Sequence, residues 1–208
     1  LEFRRVLFRS GDYMTNLNSL NRQSLGEEIA NAVSHGIGTL LAVIGTVILI
    51  VYAAYNSSVS GVVSASIYGF CLIFLYLMST LYHALTNNTA KKIFQVLDHC
   101  SIFLLILGSY VPICLVLLPP ELGWRLLGIN LLLTVVGITL NAISLNKWKK
   151  LSLLLYVFMG WSVIIALPYL WRMLSADALT LLVSGGLAYT IGIFFYADKK
   201  HRDRKSVV

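Results

Sequence analysis

Six long apolar runs, separated by short polar segments, make up most of the chain between residues 29 and 196. Each run holds about twenty residues, enough for a helix rising 1.5 Å per residue to cross a ~30 Å hydrocarbon core. The pattern predicts spans at roughly Ile29–Ala54, Val62–Tyr82, Asp98–Leu118, Trp124–Leu145, Leu151–Leu170 and Leu179–Tyr196. Asn56-Ser-Ser, Lys91-Lys92, Pro119-Pro120-Glu121 and Lys147-Trp-Lys-Lys150 read as the turns between them. Short segments of alternating polarity, the mark of a membrane barrel, are absent from the sequence. The fold class is therefore all-α, a polytopic transmembrane bundle with six spans.

The informative positions are those where the apolar pattern fails. Glu28, Asn31 and His35 recur at i, i+3 and i+7 and share one face at the start of the first span. Ser79 and His83, spaced i, i+4, share a face at the end of the second. Asp98, followed by His99, opens the third, where it reads either as a helix N-cap or as part of a site. An antiparallel hairpin returns Asp98 to the depth at which Ser79 and His83 left off. Ionisable groups within spans are costly, which favours a site that handles protons or a metal; a snorkelling histidine near the interface is the plain alternative.

Other interruptions read as packing. Gly38, Ala42 and Thr46 form a small-residue stripe on the first span, and Ser184, Ala188 and Gly192 one on the sixth. Asn130, Thr134, Gly137 and Asn141 are spaced for interhelical hydrogen bonding on the fourth. Pro112 removes one helical hydrogen bond and predicts a kink in the third. Cys71, Cys100 and Cys114 lie in or beside apolar runs and read as small buried residues, not as a disulfide framework.

Composition agrees with the pattern: 58% of residues are hydrophobic and 12% charged, with a mean hydropathy of +0.79. The net charge of +7 is not a nucleic-acid signature, because the basic residues gather in turns and tails. Arg22, Lys91, Lys92, Lys147, Lys149, Lys150, Lys199, Lys200 and Arg202 fall on one side of the predicted topology, and only Arg125 and Arg172 on the other. The positive-inside rule then puts the N-terminus and the Glu28, His83 and Asp98 layer in or next to the cytoplasm. Residues 1–10 and 203–208 resemble translated sequencing-adapter DNA and are set aside as non-native. Setting them aside removes five basic and two acidic residues, and +7 becomes +4.

Glu27-Glu-Ile-Ala-Asn-Ala-Val-Ser-His35-Gly-Ile-Gly, Ser79-Thr-Leu-Tyr-His83-Ala, Asp98-His-Cys-Ser-Ile and Gly160-Trp161, in that order, resemble the haemolysin III family. That family belongs to the wider group of progestin and adiponectin receptor-like membrane proteins. The resemblance implies that residues 11–202 form one transmembrane domain, C-terminally truncated before a seventh helix. It also implies a zinc site near the cytoplasmic side. His83 would be a zinc ligand, Asp98 the carboxylate beside the metal-bound water, and Ser79 a polar neighbour. The other two ligands would come from a His-x-x-x-His motif in the seventh helix; His201 is not that motif, so the site is expected to be incomplete here.

The functional expectation from the resemblance is an inner-membrane protein that hydrolyses a lipid amide or ester with zinc. The alternatives are a non-enzymatic membrane regulator or receptor-like protein with structural zinc, and a haemolytic pore-former. Membrane lipids are the expected partners and nucleic acid is not; substrate and oligomeric state are not legible in the sequence.

Overall fold

The computed structural model describes residues 24–86 and 89–205, and among them every regular element is helical. Helix α1 (Leu25–Asn56) and α2 (Val59–Ala84) form the first two spans. Helix α3 (Thr89–Pro112) continues as a π-helical turn, Ile113–Leu117, and α4 is Pro120–Ile143. The fifth span joins α5 (Leu145–Trp161), a 3-10 segment (Ser162–Ala166) and α6 (Leu167–Met173). Helix α7 (Ala176–Lys205) contains the sixth, Ala176–Ile193. Six helical stretches among the described residues are thus long and apolar enough to cross a membrane, as the hydropathy pattern predicts. The segments set aside at the termini lie outside the described residues, apart from the helical backbone of 203–205.

The start of α1 follows from its sequence. Ser24 caps the helix, accepting from the Glu27 amide at 3.3 Å while the Glu27 carboxylate accepts from the Ser24 amide at 2.9 Å. This reciprocal pairing satisfies two amide donors that a helix start leaves open. At 32 residues, α1 is about 48 Å long, so its ends reach beyond the hydrocarbon layer and Glu28 lies near one membrane surface.

Consecutive spans pack side by side, α1 on α2, α2 on α3, α3 on α4 and α4 on α5, with α7 resting on α5. The core lies where the third, fourth and fifth spans meet, around Phe103, Tyr110, Leu126, Met159 and Leu170. Without a hydrophobic drive between helices in lipid, contact depends on close approach. Gly137 provides it: a β-carbon there would run into the buried Phe103 ring. Gly69 does the same for Thr46, which explains why the stripe Gly38, Ala42, Thr46 faces α2.

The structure corrects three sequence-level expectations. The third span begins at Thr89, not Asp98, so Asp98 lies more than two turns inside α3 and is no N-cap. Thr89 and the helix-forming Ala90-Lys91-Lys92 carry the helix outward beyond the apolar run. For the same reason Lys147-Trp-Lys-Lys150 is not a turn: it forms the first turns of α5, behind Ser144, whose Oγ accepts from the Lys147 amide at 3.4 Å. On α7, Ser184, Ala188 and Gly192 face outward, while Leu182 and Tyr189 turn inward; Tyr189 donates to the Tyr156 carbonyl at 2.9 Å. A spacing motif identifies a face without saying which neighbour meets it. Finally, the chain passes Pro112 through the π-turn, closed by Leu118 N to Ile113 O at 3.1 Å.

The break in the fifth span is repaired by side chains from other helices. Tyr110 donates to the Met159 carbonyl at 2.7 Å, and Asn130 Nδ2 donates to Ser162 Oγ at 3.2 Å. Lipid offers no hydrogen bonds, so irregular backbone survives only where protein groups satisfy it. The polar stripe on α4 is of this kind. Asn141 accepts from Ser152 at 2.6 Å and donates to the Tyr156 hydroxyl at 3.3 Å, as the packing reading expects.

Candidate functional site

The first three spans bring their polar exceptions to one end of the bundle. Glu28, in the first turn of α1, reaches across to the last turn of α2. Its Oε2 lies 2.8 Å from His83 Nδ1, and its Oε1 accepts from Lys91 Nζ, also at 2.8 Å. All three side chains are largely withdrawn from solvent, with His83 7% exposed, Lys91 16% and Glu28 17%. Lys91 also donates to the Leu85 carbonyl at the end of α2, at 3.2 Å, and lies 5.3 Å over the Tyr82 ring. The lysine ammonium therefore holds a carboxylate, a helix-terminal carbonyl and an aromatic face together. Each is a favourable contact for a cation.

Two turns further along α1, His35 Nδ1 and Ser79 Oγ share a hydrogen bond of 2.6 Å. Ser79 is buried. The His35 and His83 rings face each other edge on, with centroids 6.0 Å apart, and Tyr76 lies against the other side of His35 at 5.9 Å. Asp98 lies on α3 and is largely withdrawn from solvent, its side chain 18% exposed. His99 turns away: its Nδ1 donates to the Gln95 carbonyl at 2.8 Å, so the 3.8 Å separation from Asp98 is incidental. Asn31 is half-buried between Glu28 and His35 along α1.

Of the residues the sequence singles out, Glu28, His35, Ser79 and His83 are joined in two direct cross-helix pairs, and Asp98, on α3, belongs to neither pair. Lys91 is the residue that sequence reasoning missed, since it reads there only as the mark of a watery turn. A lone carboxylate on an apolar helix face is the signal that a cation must lie nearby.

The donor set matches a metal site only in part. His83 fits, because its Nδ1 is backed by a carboxylate, as in many metal-ligating histidines. The number of donors does not. Among the described residues, no group of three or more His, Cys, Asp or Glu side chains is placed to hold an ion. The described residues thus supply one imidazole ligand and not a closed site.

A cavity of about 800 Å³ lies at the opposite end of the bundle, lined mostly by apolar side chains that include Leu49, Tyr68, Ile106 and Val163. From Tyr68 to His83 is about 22 Å along α2, so the cavity and the polar layer are separate features.

Comparison with known proteins comes down on one family. The profile described as Haemolysin-III related matches residues 23–205. The chain is 38% identical to Hemolysin-3 of Bacillus cereus over 187 residues, which is 90% of this chain and 85% of that protein. It is 41% identical to the Hemolysin-3 homolog of Bacillus subtilis (strain 168) over 177 residues, covering 85% and 83% of the two. The monocyte to macrophage differentiation factor of Rattus norvegicus is 24% identical over 201 residues, covering 94% and 82%. No solved structure matches.

Proposed function

The chain belongs to the Haemolysin-III related family, and from that premise we propose that the polar layer of α1, α2 and α3 is its working site, one that hydrolyses an amide or ester bond of a membrane lipid with the help of zinc. The observation that carries this reading is the gathering of Glu28, His83, Lys91, His35, Ser79 and Asp98 towards one end of a bundle otherwise built of apolar spans. Such groups are expensive within a membrane and mark sites.

Zinc, when bound, would supply a Lewis acid and lower the pKa of a water. His83 is the ligand that the described residues offer. Asp98 brings a carboxylate able to take up a proton, the task of a general base. Ser79, tied to His35, offers a hydroxyl that can hydrogen-bond a polarised carbonyl oxygen.

A second reading is a non-enzymatic membrane protein in which the layer has a structural role. The mutual satisfaction of Glu28, His83 and Lys91 favours it, because a closed ion-pair network holds three elements together without any chemistry.

The protein, reconstituted with zinc in vesicles of acyl amide and acyl ester lipids, separates the two. Release of free fatty acid that falls at least about 100-fold in Asp98→Asn is expected. No release above protein-free vesicles, with zinc bound, would leave the structural reading in its place.

The proposed location is the cell's inner membrane, with the N-terminus and the polar layer towards the cytoplasm. Reporters active only in the cytoplasm should work when fused after Lys92, Lys150 and Arg202, and stay silent after Ser57, Glu121 and Ser175. Reversal at two or more of these sites would invert the orientation.

A further inference from the structure

A neutral imidazole carries one ring proton, and the hydrogen bond made by one nitrogen decides the role of the other. At His83 the partner is an acceptor, since Glu28 Oε2 lies 2.8 Å from Nδ1. The other carboxylate oxygen is held by the Lys91 ammonium at 2.8 Å. Lys91 thus balances the charge of Glu28. It also fixes the carboxylate, because the two oxygens are pinned from two directions by groups on different elements. We propose that Glu28, held by Lys91, is a positioning residue that keeps His83 as the Nδ1–H tautomer and so leaves Nε2 as the free electron pair of the ring.

This inference rests on the reading of His83 as the ligand-bearing residue of the site, and it assigns work to two residues outside the donor set. In water a free histidine ring favours the proton on Nε2, so the preference at His83 would be the reverse of the unconstrained one. A ring that already carries its lone pair on Nε2 needs no proton transfer before that nitrogen meets a Lewis acid. Removing an outer partner of this kind typically weakens metal binding by about 10–100-fold.

The test is made on metal-free, chelator-treated protein in lipid nanodiscs, with nitrogen-15 in the histidines only. The chain has four histidines, so the long-range proton–nitrogen spectrum is simple, and a His83→Gln variant identifies the signals of His83. The expected pattern is one protonated Nδ1 and one bare Nε2. In Glu28→Leu the pattern should move to the Nε2–H form, while the His35 signals, set by Ser79, keep their positions and report an intact fold. Glu28→Gln, whose side-chain oxygen can still accept from Nδ1, should keep the native tautomer. An Nε2–H or doubly protonated His83 in the unmodified protein overturns the proposal, as does an unchanged tautomer in Glu28→Leu. Should Glu28→Leu fail to fold, Lys91→Met replaces it, and a native pattern left wholly intact there removes Lys91 from the proposal. Because no metal is present, the outcome is independent of zinc: failure of the native protein to retain zinc would end the zinc reading and leave the tautomer result standing.

Discussion

Replacing His83 by Ala should abolish zinc retention, while replacing Asp98 by Asn should keep most of the zinc and remove turnover. The difference follows from the parts proposed above for the two side chains. His83 offers a ring nitrogen as a ligand, and losing a ligand from a site of usual size leaves the ion mostly to water. Asp98 is assigned to the proton on that reading, so Asn preserves its shape and removes its basicity. A loss of about 10²–10⁴ in rate is the usual measure of a general base. Ser79→Ala should be milder, about 10–100-fold in affinity for a polar neighbour of the ion. His35→Ala should leave zinc in place, since His35 bonds Ser79 and not His83. Zinc content by elemental analysis and fatty-acid release, read on the same samples, decide the matter. Equal zinc loss in Asp98→Asn and His83→Ala would make Asp98 a ligand itself, with less room for a reactive water, and the site would be structural.

The second large effect is expected at the contact between α3 and α4. Phe103 is fully buried, and its ring occupies the space that a side chain at Gly137 would need. Gly137→Ala should therefore destabilise the bundle by about 1–3 kcal/mol through overpacking. Phe103→Ala, which opens a cavity in the core, should cost about 3–5 kcal/mol. The double variant should cost less than the two added together, because the new methyl group enters space that the ring has vacated. Neighbouring sites of this kind couple by about 0.5–3 kcal/mol. Unfolding of the four proteins in the same detergent measures the coupling. Strict additivity would mean that the helices move apart and do not interlock.

Much of the site was legible because membrane spans make polar residues conspicuous. Glu28, His35, Ser79, His83 and Asp98 each interrupt an apolar run, and their helical spacing put the first four on faces that do meet. Lys91 was not legible as a member. A lysine near an apolar boundary has the same appearance whether it faces water or a carboxylate 63 positions away in sequence. The pairing of Glu28 with His83 in place of a metal-centred arrangement was equally hidden, since shared depth restricts which residues can meet and leaves open which of them do.

By itself the sequence determined the number of spans, their order, and the layer at which ionisable groups gather. These follow from one-dimensional facts, namely the length of apolar runs against the thickness of a bilayer and the cost of burying charge. The tertiary structure alone decided where the helices begin, which faces pack and who bonds whom. Ala90-Lys91-Lys92 and Lys147-Trp-Lys-Lys150 are helical because helix formation continues past the hydrocarbon edge wherever propensity allows. The stripe at Ser184, Ala188 and Gly192 faces outward although its spacing matches that of Gly38, Ala42 and Thr46. A small residue permits close approach, but only a neighbouring helix on that side makes use of it, and that neighbour is set by the packing of the whole bundle.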